Sequence, residues 1–192
     1  MVAIIKYNAG NIGSVRNAVE RLGCQCIVTD NAFEIRKADK VIFPGVGEAK
    51  SAMSYMRNKG LDIVIRSLNQ PTLGICLGLQ LMCKYSEEGD TECMGIFEAE
   101  VKKFPPEDVV PHMGWNNLIP KASPLFQGIT DEDDFYFLHS YYAEVCSQTI
   151  AECNYILSFS AAIQFLNFYA TQFHPEKSGT VGEKLLKNFL EI

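Results

Sequence analysis

The stretch "PTLGICLGLQLM" (Pro71–Met82) holds one cysteine, Cys76, between two glycines. The residues before Cys76 form a short apolar run that predicts a buried β-strand, and those after it carry apolar side chains at helical spacing. A strand that turns directly into a helix through Gly-X-Cys-X-Gly is the pattern of a nucleophile elbow. The stretch therefore predicts a strand-turn-helix unit with Cys76 at its apex.

Strand and helix patterns alternate around this unit. Strands are predicted at "VAIIKY" (2–7), "CIVTD" (26–30) and "KVIFPG" (40–45), and helices at "NIGSVRNAVERLG" (11–23), "EAKSAMSYMRNKGLDIVIRSL" (48–68) and "LQLMCKYSEE" (79–88). After about Gly89 the patterns are strands joined by turns, at 94–104, 134–146, 159–164 and 168–175, before a final amphipathic helix at 179–192. This order predicts a single α/β domain over residues 1–192, with a mostly parallel central sheet and antiparallel strands in its C-terminal half.

Composition narrows the classes of partner. The net charge is -6 and the 17 Lys and Arg residues are scattered, which argues against a nucleic acid or an anionic membrane. The seven cysteines are odd in number and contain no C-x-x-C pair, so neither a disulfide framework nor a metal site is predicted. With no secretory signal and no long apolar segment, we expect a cytoplasmic protein.

The elbow pattern gives Cys76 a chemical role. Glycines two residues to either side relieve the crowding of a sharp turn. The cysteine would lie at the carboxyl edge of the sheet and at a helix N-terminus, which favours a thiolate, and the backbone amide of Leu77 would be free to donate to an oxyanion. The alternative is a buried structural cysteine in a tight turn.

A thiol nucleophile needs a base, and the chain contains three histidines. His174 lies at the end of an apolar strand in "YATQFHPEKSG", with Pro175 restricting it to an extended backbone. In an extended chain residues two apart face the same side, so Glu176 could hydrogen-bond the imidazole and fix its tautomer. The alternative is an exposed loop histidine beside an acid.

A second backbone N–H group that donates to the oxyanion must come from another loop. The stretch "FPGVGE" (43–48) ends a predicted parallel strand, and its glycines let the backbone approach a ligand closely. A tight turn without a ligand is the alternative.

Several motifs in order resemble those of the Cys-His-Glu, or class I, glutamine amidotransferases. The motifs "GICLGLQL", "PGVG" and "FHPEKS" are similar to the family as a whole, and "PHMGWN" (111–116), "YFLHSYY" (136–142) and "YNAGNIGSV" (7–15) resemble its histidine-biosynthesis branch. The resemblance covers essentially the whole chain and implies a three-layer, flavodoxin-like fold. It also implies a catalytic triad of Cys76, His174 and Glu176, an oxyanion hole from the backbone of Gly45, Val46 and Leu77, and a glutamine site lined by Gly47, Gln80, Glu88, Ser140 and Tyr141.

The same resemblance implies a glutaminase that releases ammonia through a cysteinyl thioester without metal or organic cofactor. The ammonia would pass to a cyclase subunit with a TIM-barrel fold, and Asn11, Trp115 and Lys177 are the expected partner-facing residues. A core position for Trp115 and a solvated helix-end position for Glu88 are the alternatives.

Two stretches differ from the family pattern. The first loop has Lys6 and Asn8 where the family usually has an acid and a glycine. The link between the last two predicted strands holds the apolar pair Phe165 and Leu166, which we expect to fold onto the domain.

Two other functions remain open on the sequence. One is a cysteine hydrolase that acts on γ-glutamyl or other amides without passing ammonia to a partner, against which "PHMGWN" and "HSYY" argue. The other is a noncatalytic subunit that uses Cys76 as a redox-sensing thiol. His174 and Glu176 argue against the sensor, since a sensor needs no oriented base.

Overall fold

The computed structural model describes residues 1–7 and 10–192. The strands are β1 (Val2–Ile5), β2 (Cys26–Thr29), β3 (Lys40–Gly45), β4 (Thr72–Cys76), β5 (Tyr85–Ser86), β6 (Thr91–Glu92), β7 (Glu100–Lys103), β8 (His112–Asn117), β9 (Ile119–Pro120), β10 (Asp134–His139), β11 (Tyr141–Ala143), β12 (Thr149–Asn154), β13 (Ser158–Phe165) and β14 (Phe168–Thr171). The α-helices are α1 (Ile12–Arg21), α2 (Ala32–Lys37), α3 (Ala49–Lys59), α4 (Leu61–Arg66), α5 (Leu77–Met82) and α6 (Gly179–Glu191).

A central sheet of eight strands has the order β2-β1-β3-β4-β14-β13-β12-β9. Its first five strands pair in parallel, and the remaining three pair antiparallel. The predicted fold class is confirmed, including the antiparallel C-terminal half. Two smaller sheets, β10-β8 and β11-β7-β5-β6, are built from the segments between α5 and β12.

Apolar cores lie on both faces of the central sheet, which makes the fold three-layered. Alternate residues of β1 point to opposite faces: Ala3 and Ile5 belong to the core beneath α3 and α4, whereas Val2 and Ile4 belong to the core beneath α1 and α6. All four are buried. Because both faces are covered, the strand reads as an uninterrupted apolar run.

Two predicted helices are shorter than the sequence indicates. The helix predicted over 48–68 is wrong as one element, because Gly60 adopts a left-handed conformation (φ 66°) that ends α3 and separates it from α4. The helix predicted over 79–88 ends at Met82, since Cys83 has an extended backbone (ψ 178°) and Tyr85 pairs in β5 with Glu92 and Glu100.

The link between β13 and β14 does not fold onto the domain, so that expectation is wrong. Leu166 is 72% exposed with φ 52°, and Phe165 is 41% exposed. The turn is held by Asn167 instead, whose side-chain amide donates to the backbone carbonyls of Leu68 and Gln70 at 3.0 Å each. Of the two first-loop positions that differ from the family pattern, Lys6 is exposed and Asn8 lies outside the described residues.

The two glycines of the elbow are required by close backbone packing. A Cβ on Gly78 would lie 2.0 Å from the carbonyl oxygen of Phe43 in β3, and a Cβ on Gly74 would lie 3.0 Å from the carbonyl carbon of Gly78. The expected crowding across the turn is confirmed. The absence of side chains lets α5 start directly against β3 and β4.

We predict that Gly78→Ala lowers the free energy of unfolding by about 3 kcal/mol or more, since the obstacle is backbone that cannot move aside cheaply. The matched control is Gly13→Ala in α1, where a Cβ meets nothing within 4 Å. It should be neutral or stabilise the protein by up to about 1 kcal/mol. Chemical denaturation measures both, and equal midpoints for the two variants would contradict the packing argument.

Candidate active site

Cys76 is the last residue of β4 and immediately precedes α5. Its backbone has φ 53° and ψ -107°, a conformation that non-glycine residues rarely adopt. The side chain is nearly buried, at 7% exposed. The strained turn and the burial are those of a nucleophile elbow.

His174 and Glu176 form a pair with no exposed side-chain surface, in which Nδ1 of His174 is 2.8 Å from Oε1 of Glu176. A carboxylate accepts, so the imidazole carries its proton on Nδ1 and leaves Nε2 for the thiol side. Burial lowers the pKa of His174, but the negative charges of Cys76 and Glu176 together raise it to about 10. The expected hydrogen bond between Glu176 and the imidazole is present and an exposed loop histidine is excluded, while the role of His174 as a base stays a prediction.

The loop after β3 lies beside the nucleophile. Gly45 pairs with Cys76 in the register of β3 and β4, so Gly45, Val46 and Gly47 follow the same sheet edge. A Cβ on Gly45 would lie 1.9 Å from the hydroxyl of Tyr7, and Gly47 has φ 140°. These positions require glycine for reasons beyond a simple turn.

A cavity of about 310 Å³ opens in front of Cys76. All five residues predicted to bind glutamine line it, together with two of the three predicted oxyanion residues; Gly45, His174 and Glu176 are not in the lining. The lining residues are Val46, Gly47, Cys76, Leu77, Gln80, Glu88, Pro111, Leu138, His139, Ser140 and Tyr141. The sequence predictions thus converge on one cavity, while Pro111, Leu138 and His139 were not predicted.

Glu88 lies in the connection between β5 and β6, not at a helix end, so that alternative is wrong. Its carboxylate accepts a hydrogen bond from the backbone N–H of Ala49, at the start of α3, over 2.8 Å. Burial raises the pKa of Glu88, and the bond from Ala49 opposes that shift. The carboxylate is therefore fixed at the cavity wall.

Sequence reasoning missed Gln172, which is fully buried behind Cys76. Gln80 donates through Nε2 to the backbone carbonyl of Tyr141 over 2.9 Å and to Oε1 of Gln172 over 3.0 Å. The available signal was the alternation of an extended chain, which puts Gln172 on the same side as His174.

The comparison with protein families decides the class of this site. Residues 3–192 match the family described as glutamine amidotransferase class-I. The chain belongs to this family. Its amidotransferase fold, its enzyme class and the resemblance drawn from its motifs are thereby confirmed.

Curated relatives and solved structures agree with this assignment. The amidotransferase is 56% identical over 194 residues to the imidazole glycerol phosphate synthase subunit HisH of Bacteroides fragilis, covering 100% of the chain and 99% of that protein. It is 47% identical to subunit HisH 2 of Legionella pneumophila, covering 100% and 98%. A glutamine amidotransferase from Thermotoga maritima has the same fold at 16% identity and a TM-score of 0.71, covering 99% of this chain and 96% of that one.

The described part of the amidotransferase has neither a candidate metal site nor a membrane-spanning helix. No group of three or more His, Cys, Asp or Glu side chains within residues 1–7 and 10–192 could hold a metal ion. Across that same part of the chain, no helix has the length and apolar character needed to cross a membrane.

An exposed aromatic face of the amidotransferase adjoins the triad. Trp115 is 57% exposed, which excludes a core position, and its ring centroid is 6.0 Å from that of Tyr136. The ammonium of Lys177 lies 5.8 Å from the Tyr136 ring centroid. Asn11 donates to the Glu176 carboxylate. Trp115 and Lys177 thus both lie against Tyr136, and Asn11 is bonded to Glu176.

The other two histidines, His112 and His139, contact each other, and His139 lines the cavity. His139 contacts the backbone carbonyl of Tyr141 through Nδ1 (2.8 Å) and Nδ1 of His112 through Nε2 (3.0 Å). A carbonyl only accepts, so both rings carry their proton on Nδ1, and Nε2 of His112 is left to accept from Asn116 (3.3 Å). Burial lowers the pKa of His112 to about 4 and that of His139 to about 3. Both rings are therefore neutral.

This neutral pair predicts a loss of stability in mild acid. Below about pH 6.5 the unfolded chain protonates its histidines whereas the folded protein leaves His112 and His139 neutral, so the unfolded state binds more protons. Stability falls as the pH drops towards the folded pKa values. From pH 6.5 to 5 the contribution of His139 is about 2 kcal/mol.

We expect His139→Gln, whose amide can keep both hydrogen bonds, to lose about 2 kcal/mol less than the wild type between pH 6.5 and 5. Urea denaturation across this range measures the difference. From pH 6.5 to 8 the two stability curves should run parallel, which serves as the internal control. Parallel curves at acid pH as well would show that the buried ring does not resist protonation.

Proposed function

We propose that this chain is the glutaminase subunit of an imidazole glycerol phosphate synthase, acting in the cytoplasm. It hydrolyses the side-chain amide of glutamine and supplies the ammonia to a cyclase subunit. The observation that carries the proposal is the buried His174–Glu176 pair beside a cysteine held on a strained elbow, in front of a cavity. The names of relatives at 55–56% identity over the whole chain support the choice of synthase.

The chemistry follows from the state of the two reacting groups. The Cys76 thiolate attacks the side-chain amide carbon, and the protonated Nε2 of His174 gives its proton to the departing ammonia. His174 then takes a proton from water, which attacks the glutamyl thioester. Glutamate leaves and the thiolate–imidazolium pair is restored. Glu176 holds the imidazole in one tautomer throughout.

Both tetrahedral intermediates carry an oxyanion that needs N–H donors. The backbone amide of Leu77 and those of the loop at Gly45 and Val46 are the donors we assign, because both segments flank Cys76 at the sheet edge. Loss of one such donor raises the barrier by about 2.7–4 kcal/mol.

Glutamine would enter with its amide towards Cys76 and its charged α-groups towards the far end of the cavity. The Glu88 carboxylate, fixed by Ala49, suits the α-ammonium group. Gly47, Ser140 and Tyr141 line the remaining wall. Gln80 already donates to Tyr141 and Gln172, so its carbonyl oxygen is the group it offers to the substrate.

The partner we assign is a cyclase subunit with a TIM-barrel fold. It would use the ammonia on a ribulosyl-phosphate precursor to form imidazole glycerol phosphate and an aminoimidazole carboxamide ribotide. The face around Trp115 is the docking surface that fits, since an exposed tryptophan beside Tyr136 and Lys177 has the composition of an interface centre.

The proposal is tested by measuring glutamate release from the purified protein, alone and with a cyclase subunit plus its ribulosyl-phosphate ligand. We expect release to rise strongly in the complex and to be abolished by Cys76→Ala without loss of fold or partner binding. Cys24→Ala, which alters a half-buried thiol remote from the cavity, is the control and should retain activity.

Each contrary outcome of this assay points to a different function. Glutamate release by Cys76→Ala would show that Cys76 is not the nucleophile. Equal release alone and in the complex would indicate a free-standing amidohydrolase. No release in either, together with oxidation of Cys76 by peroxide, would indicate the sensor.

The docking surface generates a separate prediction. Trp115→Ala should weaken binding to the cyclase subunit roughly 30-fold, which corresponds to about 2 kcal/mol for a buried tryptophan anchor. Phe33→Ala is the matched control, because Phe33 is an aromatic on α2 that is even more exposed (72%, against 57% for Trp115). Titration calorimetry compares the two, and an equal effect of both substitutions would place the partner elsewhere.

A further inference from the structure

The side chain of Gln172 lies directly against the sulfur of Cys76. Gln172 follows β14 by one residue and has no exposed surface. Its Nε2 is 3.6 Å from Sγ of Cys76, and its Oε1 is 3.0 Å from Nε2 of Gln80. The amide therefore connects the reacting atom to the wall of the cavity.

The orientation of the Gln172 amide is fixed by neighbouring groups, beginning with one that can only accept a hydrogen bond. The backbone carbonyl of Tyr141 can only accept, so Gln80 must present Nε2 to it. The same Nε2 also donates to Gln172, which must accept this hydrogen bond through Oε1. The group that Gln172 turns towards Cys76 is consequently its N–H donor.

The backbone carbonyl of Tyr141 is itself held in place by other contacts. It also accepts a hydrogen bond from Nδ1 of His139 over 2.8 Å, and Tyr141 pairs with Lys103 in the β11–β7 sheet. Gln80 is 4% exposed and Gln172 is fully buried. Reversing Gln80 would set its oxygen against the carbonyl of Tyr141, and reversing Gln172 would set its amide nitrogen against that of Gln80, so the arrangement is locked.

We propose that Gln172 is a further catalytic residue, whose side-chain amide donates to Cys76 Sγ and favours the thiolate over the thiol, with Gln80 as the positioning residue that aims it. A thiol sulfur is a weak acceptor and an anionic sulfur accepts a charge-assisted bond, so the contact strengthens when the proton moves to His174. It weakens again when the sulfur becomes a neutral thioester. This inference rests on the proposed glutaminase function.

Gln172 and His174 come from one segment, the chain that follows β14, and of the two only Gln172 donates to the sulfur in this structure. His174 approaches from the chain after β14 and stores the proton, while Gln172 carries no charge and stays in place through the whole cycle. Because its amide is already ordered by Gln80, donation costs no reorganisation at the moment of attack. Removal of the amide should therefore raise the pH at which Cys76 becomes reactive.

The test is the pH dependence of alkylation of Cys76 by iodoacetamide, followed by mass spectrometry of the peptide that carries Cys76, because the chain has six other cysteines. Gln172→Met removes the amide without adding charge, and Gln172→Asn draws it back by one methylene. Gln164→Met in β13 is the matched control, since Gln164 accepts from Ser123 (2.9 Å) in a half-buried position. The variants are measured as full-length protein after circular dichroism has verified their fold.

We expect the alkylation midpoint to move up by about 1 to 2 pH units in both Gln172 variants and to stay at the wild-type value in Gln164→Met. A merely structural role would lower stability without moving the midpoint. Wild-type midpoints in both Gln172 variants would overturn the inference.

Glutamate release by the wild type with the cyclase subunit, measured in parallel, separates the inference from the function on which it rests. Turnover with unmoved midpoints would refute the role of Gln172 alone. If the midpoints move but glutamine is not hydrolysed, Gln172 keeps its role as donor to the thiolate, and glutamine is refuted as the substrate.

Discussion

The contact between Gly78 and the carbonyl of Phe43 is the constraint on which the site depends. It lets α5 begin directly at the end of β4, and this forces Cys76 into its strained conformation. β4 lies between β3 and β14, and all three are parallel, so their carboxyl ends meet at one edge of the sheet. Gly45 arrives there from β3 and His174 from beyond β14. One packing contact and the strand order thus bring Cys76, His174 and the loop at Gly45 to one edge of the sheet.

Two buried histidine sites in the same domain differ in charge, one protonated and one neutral, and their neighbours explain why. His174 is bonded to a carboxylate and faces Cys76, so its pKa rises in spite of its burial. His139 is bonded to a carbonyl and to His112, neither of which is anionic, so burial dominates and its pKa falls. The first site holds a protonated imidazole, and the neutral rings of the second form a fixed series of donors and acceptors. Residue type does not distinguish the two roles; the partner does.

The sequence was informative wherever a local rule decided the structure. The role of the two elbow glycines was predicted from steric crowding at a sharp turn. The alternation of strands and helices was predicted from the spacing of apolar residues. Both depend only on residues close together in the chain. The sequence failed where distant pairing competes with local propensity, as at Tyr85, which has helical spacing but is drawn into β5 by Glu92 and Glu100. Gln172 and His139 belong to the same class. Their roles arise from register across strands far apart in the chain, which no single segment encodes.

An unbroken series of buried and half-buried hydrogen bonds joins the strand of the exposed tryptophan to Cys76. It starts at Asn116, next to Trp115, and passes in order through His112, His139, the carbonyl of Tyr141, Gln80 and Gln172 to Cys76. Each link has one allowed polarity, because the carbonyl sets the direction of donors on both sides. Displacing β8 by more than the tolerance of a hydrogen bond must break a link, and a broken link leaves an unpaired polar group in the interior, at a cost of about 1–3 kcal/mol. The position of β8 and the environment of the sulfur are therefore energetically connected, even though Trp115 itself takes part in none of these hydrogen bonds.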